Sequence, residues 1–248
     1  SWQEGARGLD ARDIAMNVAL PEVDGRVLTR AVSFKGSDRR DAFTQTNLVR
    51  YEPVRDRVDY ICQLAAAWIV LRQTDVSERR VSLILANYPN RDGRLGNGVG
   101  LDTPESVIFF LKAMKTAGYA VKNIPADGDA LIAKIVSGPT NAVGDLKNRN
   151  ITEKLSLEDY NIFYNKLPKM VRQAVDTQWG MPESDPFYIS DIDQGYFAVP
   201  AFRLRNVAIC LQPARGYNID PKSTYHDPDL VPPHNYLAFY AWLRTSFK

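Results

Sequence analysis

The 248-residue chain is 45% hydrophobic and 24% charged, the balance of a folded globular protein, which excludes a disordered tail, a collagen-like repeat and a disulfide-stapled miniprotein. Its 31 Lys and Arg against 29 Asp and Glu leave a net charge of +2, too even for a bulk nucleic-acid binder. The longest apolar run, residues 64–71, falls far short of the roughly 20 residues that cross a bilayer.

In chain order, the apolar runs 14–20 and 27–34, separated by Pro21-Glu22-Val23-Asp24-Gly25, predict strand, turn, strand. Val58, Ile61, Cys62, Ala65, Trp68 and Ile69 recur at helical spacing over 57–72. Residues 81–86 are continuously apolar, as in a buried parallel strand. A glycine-rich loop over 87–102 then leads into a helix, with Thr103 suited to its cap, Pro104 to its first position and Gly118 to its exit. Residues 119–121 predict the next strand, which completes a βαβ unit. Helical periodicity fills 127–178, a strand pair follows at 196–202 and 207–211, and a loop with five prolines, 212–234, precedes a terminal helix at 236–247. The expected fold is α/β, a parallel-sheet Rossmann-like core with extra helices and a long Pro-rich loop. Its segments are 1–56 (opening strands and linker), 57–125 (βαβ core with the Gly-rich loop), 126–195 (helical insertion) and 196–248 (strands, His loop and terminal helix). Cys62 and Cys210, both within apolar segments, predict buried free thiols and a cytoplasmic setting. A start at Ser1 and a stop directly after an aromatic helical pattern predict an interior slice of a longer chain.

Few residues here carry chemistry by spacing alone. The glycine loop fits neither pattern that would cradle a nucleotide: position 103 is Thr where GxGxxG from Gly98 needs glycine, and no Gly-Lys-Ser/Thr follows. Its glycines either face a ligand or serve turns with positive φ. The two histidines, His226 and His234, stand eight residues apart near Asp227 and Asp229, a donor set suited to Co²⁺, Ni²⁺ or Zn²⁺ but with no standard zinc spacing. Loop histidines bonded to backbone would look the same. Glu22 and Asp24 are either a base at a strand end or a turn whose Asp bonds its own backbone. Arg91, Arg94, Arg203, Arg205 and Arg215 lie near the loops, where they meet an anionic ligand or solvent.

Four motifs in order carry a more specific signal: residues 19–25 (Ala-Leu-Pro-Glu-Val-Asp-Gly), Ala86-Asn87-Tyr88-Pro89 with the 92–102 glycine loop, Gln212-Pro213-Ala214-Arg215-Gly216-Tyr217, and residues 225–243 from Tyr225-His226-Asp227-Pro228-Asp229 onward. Together they resemble the CobN/magnesium chelatase H-subunit family, the large subunits of aerobic cobaltochelatase and magnesium chelatase. Asn90-Arg91-Asp92-Gly93 and the His226–Asp229 run resemble the cobalt branch. The resemblance implies ATP-driven insertion of Co²⁺, the substrate metal, into hydrogenobyrinic acid a,c-diamide for cobalamin biosynthesis. ATP and Mg²⁺ would be used by an AAA+ partner subunit, with a third chelatase subunit, and neither nucleic acid nor membrane would be a partner. It implies Glu22 as catalytic base; Arg215, Tyr217, Asn87 and Tyr88 as substrate-binding residues; and His226 and His234 as metal ligands. The family's His-Gly-x-Leu-Glu motif is missing after the terminal helix, so the fragment is expected to be inactive alone. The competing expectations are a magnesium or nickel chelatase large subunit, a non-catalytic tetrapyrrole carrier, and a scaffold that docks the ATPase through Arg79, Arg80, Arg91 and Arg94.

Overall fold

A computed structural model describes residues 9–87, 95–96, 98–144, 146–191, 195–217 and 230–247. The chain forms two compact units, Ser1–Thr74 and Asp75–Lys248.

The first unit opens as helix where the sequence predicts a strand. α1 (Ala11–Ile14) passes through a π turn, Ala15–Ala19, into α2 (Leu20–Val23). Asp10 caps the start by accepting from the Asp13 amide at 2.7 Å. A proline inside a helix collides with the carbonyl four residues back, and a π turn just before Pro21 widens the coil where that collision would fall. The Pro21–Gly25 motif is a helix exit. Arg26 N–H donates to the Pro21 carbonyl at 3.0 Å, Gly25 N–H donates to Glu22 at 2.9 Å, and Gly25 takes φ +75°. That is a Schellman closure, which needs glycine at the left-handed position. An antiparallel hairpin follows, β1 (Ser33–Arg40) and β2 (Asn47–Pro53), and then α3 (Arg55–Gln73). Arg57 ties helix to hairpin: its guanidinium donates to the Ala31 carbonyl at 3.1 Å and lies over the Phe34 ring. Cys62 on α3 is exposed, which corrects its expected burial; Cys210 is buried as expected.

The second unit is built around one strand. β8 (Val207–Leu211) is buried along its whole length. It pairs in parallel with β3 (Val81–Leu85) and antiparallel with β7 (Ala201–Arg203). On one face Val207, Ile209 and Leu211 pack with α4 (Thr103–Thr116) and α5 (Gly128–Ser137) through Ile108, Leu111 and Leu131. On the other, Ala208 and Cys210 join a cluster of Tyr160, Phe197, Phe239 and Trp242. A continuous apolar run is the sequence form of a strand covered on both sides. The second cluster gathers a sheet of order β4-β6-β5 (Glu153–Ser156, Tyr196–Val199, Tyr188–Ile189) with α6 (Leu157–Tyr164), α7 (Lys169–Trp179) and α8 (His234–Thr245). β6 and β7, expected as one strand, belong to different sheets because Pro200 lies between them and has no N–H for a ladder.

The expected Rossmann-like core is reduced, among the described strands, to the single parallel pair β3·β8. The βαβ unit does not close after α4, because residues 119–121 supply one bridge, antiparallel, from Val121 to Arg205. Asn123, at φ 55°, then turns the chain away. α4 is capped by Asp102, whose carboxylate accepts from the Glu105 amide at 3.1 Å, and Thr103 is its first helical residue. Most of the Pro-rich loop lies outside the described residues. Among those described, no helix is long and apolar enough to cross a membrane.

Candidate functional site

β3 and β8 end level with each other, Leu85 opposite Leu211, so both strands release their following residues at one edge. The carboxyl edge of parallel strands is where α/β proteins bind ligands, since the loops diverge there. Gln212 N–H donates to the Leu85 carbonyl and Gly96 N–H to the Ala86 carbonyl, each at 2.9 Å. Asn141 clamps the strand exit: its amide N–H donates to the Gln212 carbonyl at 3.0 Å and its oxygen accepts from Ala214 N–H at 3.1 Å. Asn87, buried, and Arg215, half-buried, therefore leave the sheet at the same edge.

Near this edge lies a buried polar hub at the start of α8. Asp185, buried, accepts from the Phe187 and Asn235 amides, both at 2.9 Å, and from the Tyr217 hydroxyl at 3.2 Å. Burial raises its carboxyl above the usual range, while these hydrogen bonds and the nearby His234 pull the other way. The bond to Asn235 places a carboxylate on the N-terminal turn of α8, whose free amides favour an anion. The Tyr217 ring packs edge-on against Trp179 and tilted against Phe187, and burial followed by the Asp185 charge pushes its phenol well up. Trp179 Nε1–H donates to the Val231 carbonyl at 2.8 Å, which pins the far end of the loop.

His234 is fully buried in this hub. Its Nε2 meets the Gly180 carbonyl at 2.9 Å and its Nδ1 meets the Tyr160 hydroxyl at 2.6 Å. A carbonyl only accepts, so Nε2 carries the proton and Nδ1 accepts from Tyr160. Both nitrogens are then occupied. In this arrangement the ring acts as a pin between α6, α8 and the 180 turn, and a metal would have to displace one of these two bonds. Tyr160 is raised chiefly by burial, which keeps its donor proton in place.

Of the other sequence-predicted residues, Asn87, Arg215 and Tyr217 share the second unit, with Tyr217 turned inward to Asp185. Glu22 lies in the first unit, at the Schellman exit of α2, with an exposed side chain. Tyr88 and His226 lie outside the described residues. No group of three or more His, Cys, Asp or Glu that would hold a metal occurs among the described residues. In a small cleft lined in part by Ile135, Pro200, Phe202 and Cys210, burial pushes the Cys210 thiol up to about 12, which keeps it protonated and unreactive. Gln212, Tyr236 and Tyr240 fall within the quoted motifs but take no site role from the sequence. The Tyr240 hydroxyl donates to Gln212 Oε1 at 3.3 Å, and the Tyr236 and Tyr240 rings lie 5.2 Å apart. Their signal was the Tyr236/Tyr240 spacing of four on the terminal helix.

The second unit is thus a mixed α/β domain with a polar, aromatic edge where two parallel strands end. The chain matches the CobN/Magnesium Chelatase family over residues 1–248, and it belongs to that family. It is 54% identical over 246 residues to an aerobic cobaltochelatase subunit CobN of Sinorhizobium sp., a match covering 99% of this chain and 19% of that protein. It is 44% identical over 247 residues to an aerobic cobaltochelatase subunit CobN of Pseudomonas aeruginosa, covering 100% and 20%. The fold matches the catalytic subunit of cobaltochelatase from Mycobacterium tuberculosis with a TM-score of 0.78 and 35% identity, over 98% of this chain and 19% of that one. The chain spans about a fifth of the length of these relatives.

Proposed function

We propose that this chain is part of the tetrapyrrole-binding large subunit of a cytoplasmic, ATP-dependent cobaltochelatase, which inserts Co²⁺ into hydrogenobyrinic acid a,c-diamide. The observation that carries the proposal is the whole-chain family match, at 54% identity to a CobN relative. The strand-end edge bearing Asn87 and Arg215 supports it. Insertion must remove inner N–H protons from the ring and strip water from the ion. Glu22 is the candidate base and His226 the candidate metal ligand. Arg215 suits a peripheral carboxylate, which a guanidinium meets with paired hydrogen bonds. Asn87, which follows β3, and Tyr88 are further candidate substrate-binding residues, and Tyr217 holds the Arg215 loop from inside. ATP hydrolysis is assigned to an AAA+ partner subunit acting with a third subunit, and insertion requires the longer chain.

An absorbance titration of the full-length subunit with hydrogenobyrinic acid a,c-diamide, with protoporphyrin as competitor, tests this. Tight binding of the corrin-type ring alone is expected. Preference for protoporphyrin would move the chain to the magnesium branch, and binding of neither would overturn the proposal. Glu22→Gln in the same subunit should leave ring binding intact and abolish cobalt insertion.

A further inference from the structure

α8 packs hard on one side and is only partly covered on the side of Tyr236 and Tyr240. Asn235, Ala238, Phe239, Ala241 and Trp242 are buried, whereas Tyr236 and Tyr240 are half-buried. Residues four apart stand one above the other on a helix, so these phenols form one face. Their rings lie 5.2 Å apart at 48°, and Phe239 backs Tyr240 edge-on. The Tyr240 hydroxyl donates to Gln212, whose backbone is fixed by Leu85 and Asn141. Burial and the Tyr240 hydrogen bond raise Tyr236, and the Arg215 charge opposes them; Arg215 itself follows directly on the Gln212–Ala214 segment that Asn141 clamps. All four side chains are half-buried; Gln212 and Arg215 follow β8 at its carboxyl end, and Tyr240 reaches that exit through Gln212. An aromatic pair bonded through Tyr240 to Gln212 at a clamped strand exit, with a guanidinium three residues further along the same exit, suits a flat conjugated ligand with carboxylates on its rim.

We propose that Tyr236, Tyr240, Gln212 and Arg215 form the shelf on which the macrocycle lies, with the phenol rings against its face and Arg215 against a peripheral carboxylate. The proposal rests on the chelatase reading and deepens it by assigning the aromatic contact to α8. Tyr217 cannot supply it, because its ring is wedged between Trp179 and Phe187.

The test titrates the full-length subunit with hydrogenobyrinic acid a,c-diamide and with the same ring after its carboxylates are esterified. Tyr236→Ala and Tyr240→Ala should each raise Kd about tenfold, the factor given by one lost aromatic contact. Tyr236→Phe and Tyr240→Phe keep the face and should stay within about threefold of wild type. Arg215→Gln, at a partly open position, serves where an alanine variant does not fold. It should weaken the free acid about tenfold and leave the ester unchanged. If wild type binds the ring while the alanine variants bind equally well, or Arg215→Gln affects acid and ester alike, the shelf is overturned and the chelatase reading stands. If wild type binds neither ring, both fall.

Discussion

A histidine beside prolines at the head of a helix looks the same in sequence whether it binds a metal or holds a fold, and occupancy of its nitrogens decides. In His234 one nitrogen accepts from Tyr160 and the other donates to Gly180. His234→Gln should therefore cost about 2 kcal/mol of stability, the scale of leaving buried partners unsatisfied, in a urea unfolding curve. The Co²⁺ binding isotherm should not move. A loss of cobalt affinity at unchanged stability would return His234 to the metal. Asp185 leads to a pH prediction. Its raised carboxyl means that the folded protein favours the protonated acid more than the unfolded chain does. That contribution is complete below the ordinary carboxylate range and is lost as pH rises through the raised value. From about pH 4 upward, wild type should lose stability relative to Asp185→Asn, whose amide does not titrate. Parallel stability profiles for the two proteins would show that Asp185 titrates as it does in the unfolded chain.

At the scale of elements, close approach outweighs propensity at the start of α5. A Cβ on Gly128 would stand 2.9 Å from Pro104 Cβ and 3.1 Å from the Glu105 amide nitrogen, and neither can swing aside. Alanine gains up to about 1 kcal/mol of helix propensity, whereas overpacking costs about 1–3 kcal/mol. Gly128→Ala should thus destabilise, seen as a lower thermal midpoint; a rise would mean that α4 and α5 can part. Periodicity made α3, α4 and β8 legible, because each is long enough or apolar enough to fix its own period. It failed at 14–20, where a short apolar run suits strand or helix and only the Schellman hydrogen bonds of Gly25 and Arg26 decide. It also failed at 119–121, where strand formation depended on a partner that the chain meets only once. Arg215 was legible as a polar group after a buried strand. Tyr236 and Tyr240 were not, since a pair four apart on an apolar helix reads as core until the packed face is known.

For the whole molecule, the second unit raises the question of whether its two apolar clusters are one core or two. They lie on opposite faces of β8, with Ile209 turned to α4 and α5 and its neighbours Ala208 and Cys210 turned to Trp242 and Phe239. A strand covered on both sides cannot leave one cluster without exposing the other, so its loss should be felt by both. Truncating a buried isoleucine costs about 2–5 kcal/mol. In Ile209→Ala the unfolding midpoint should therefore fall even when reported from the far cluster, by ¹⁹F resonance of fluorotryptophan at Trp242, and should coincide with the loss of far-ultraviolet dichroism. A Trp242 midpoint that stays at its wild-type urea concentration while the dichroism shifts would mean that the clusters fold independently. In that case β8 would be a boundary between two small cores, and the strand-end edge carrying Arg215 would be held by only one of them.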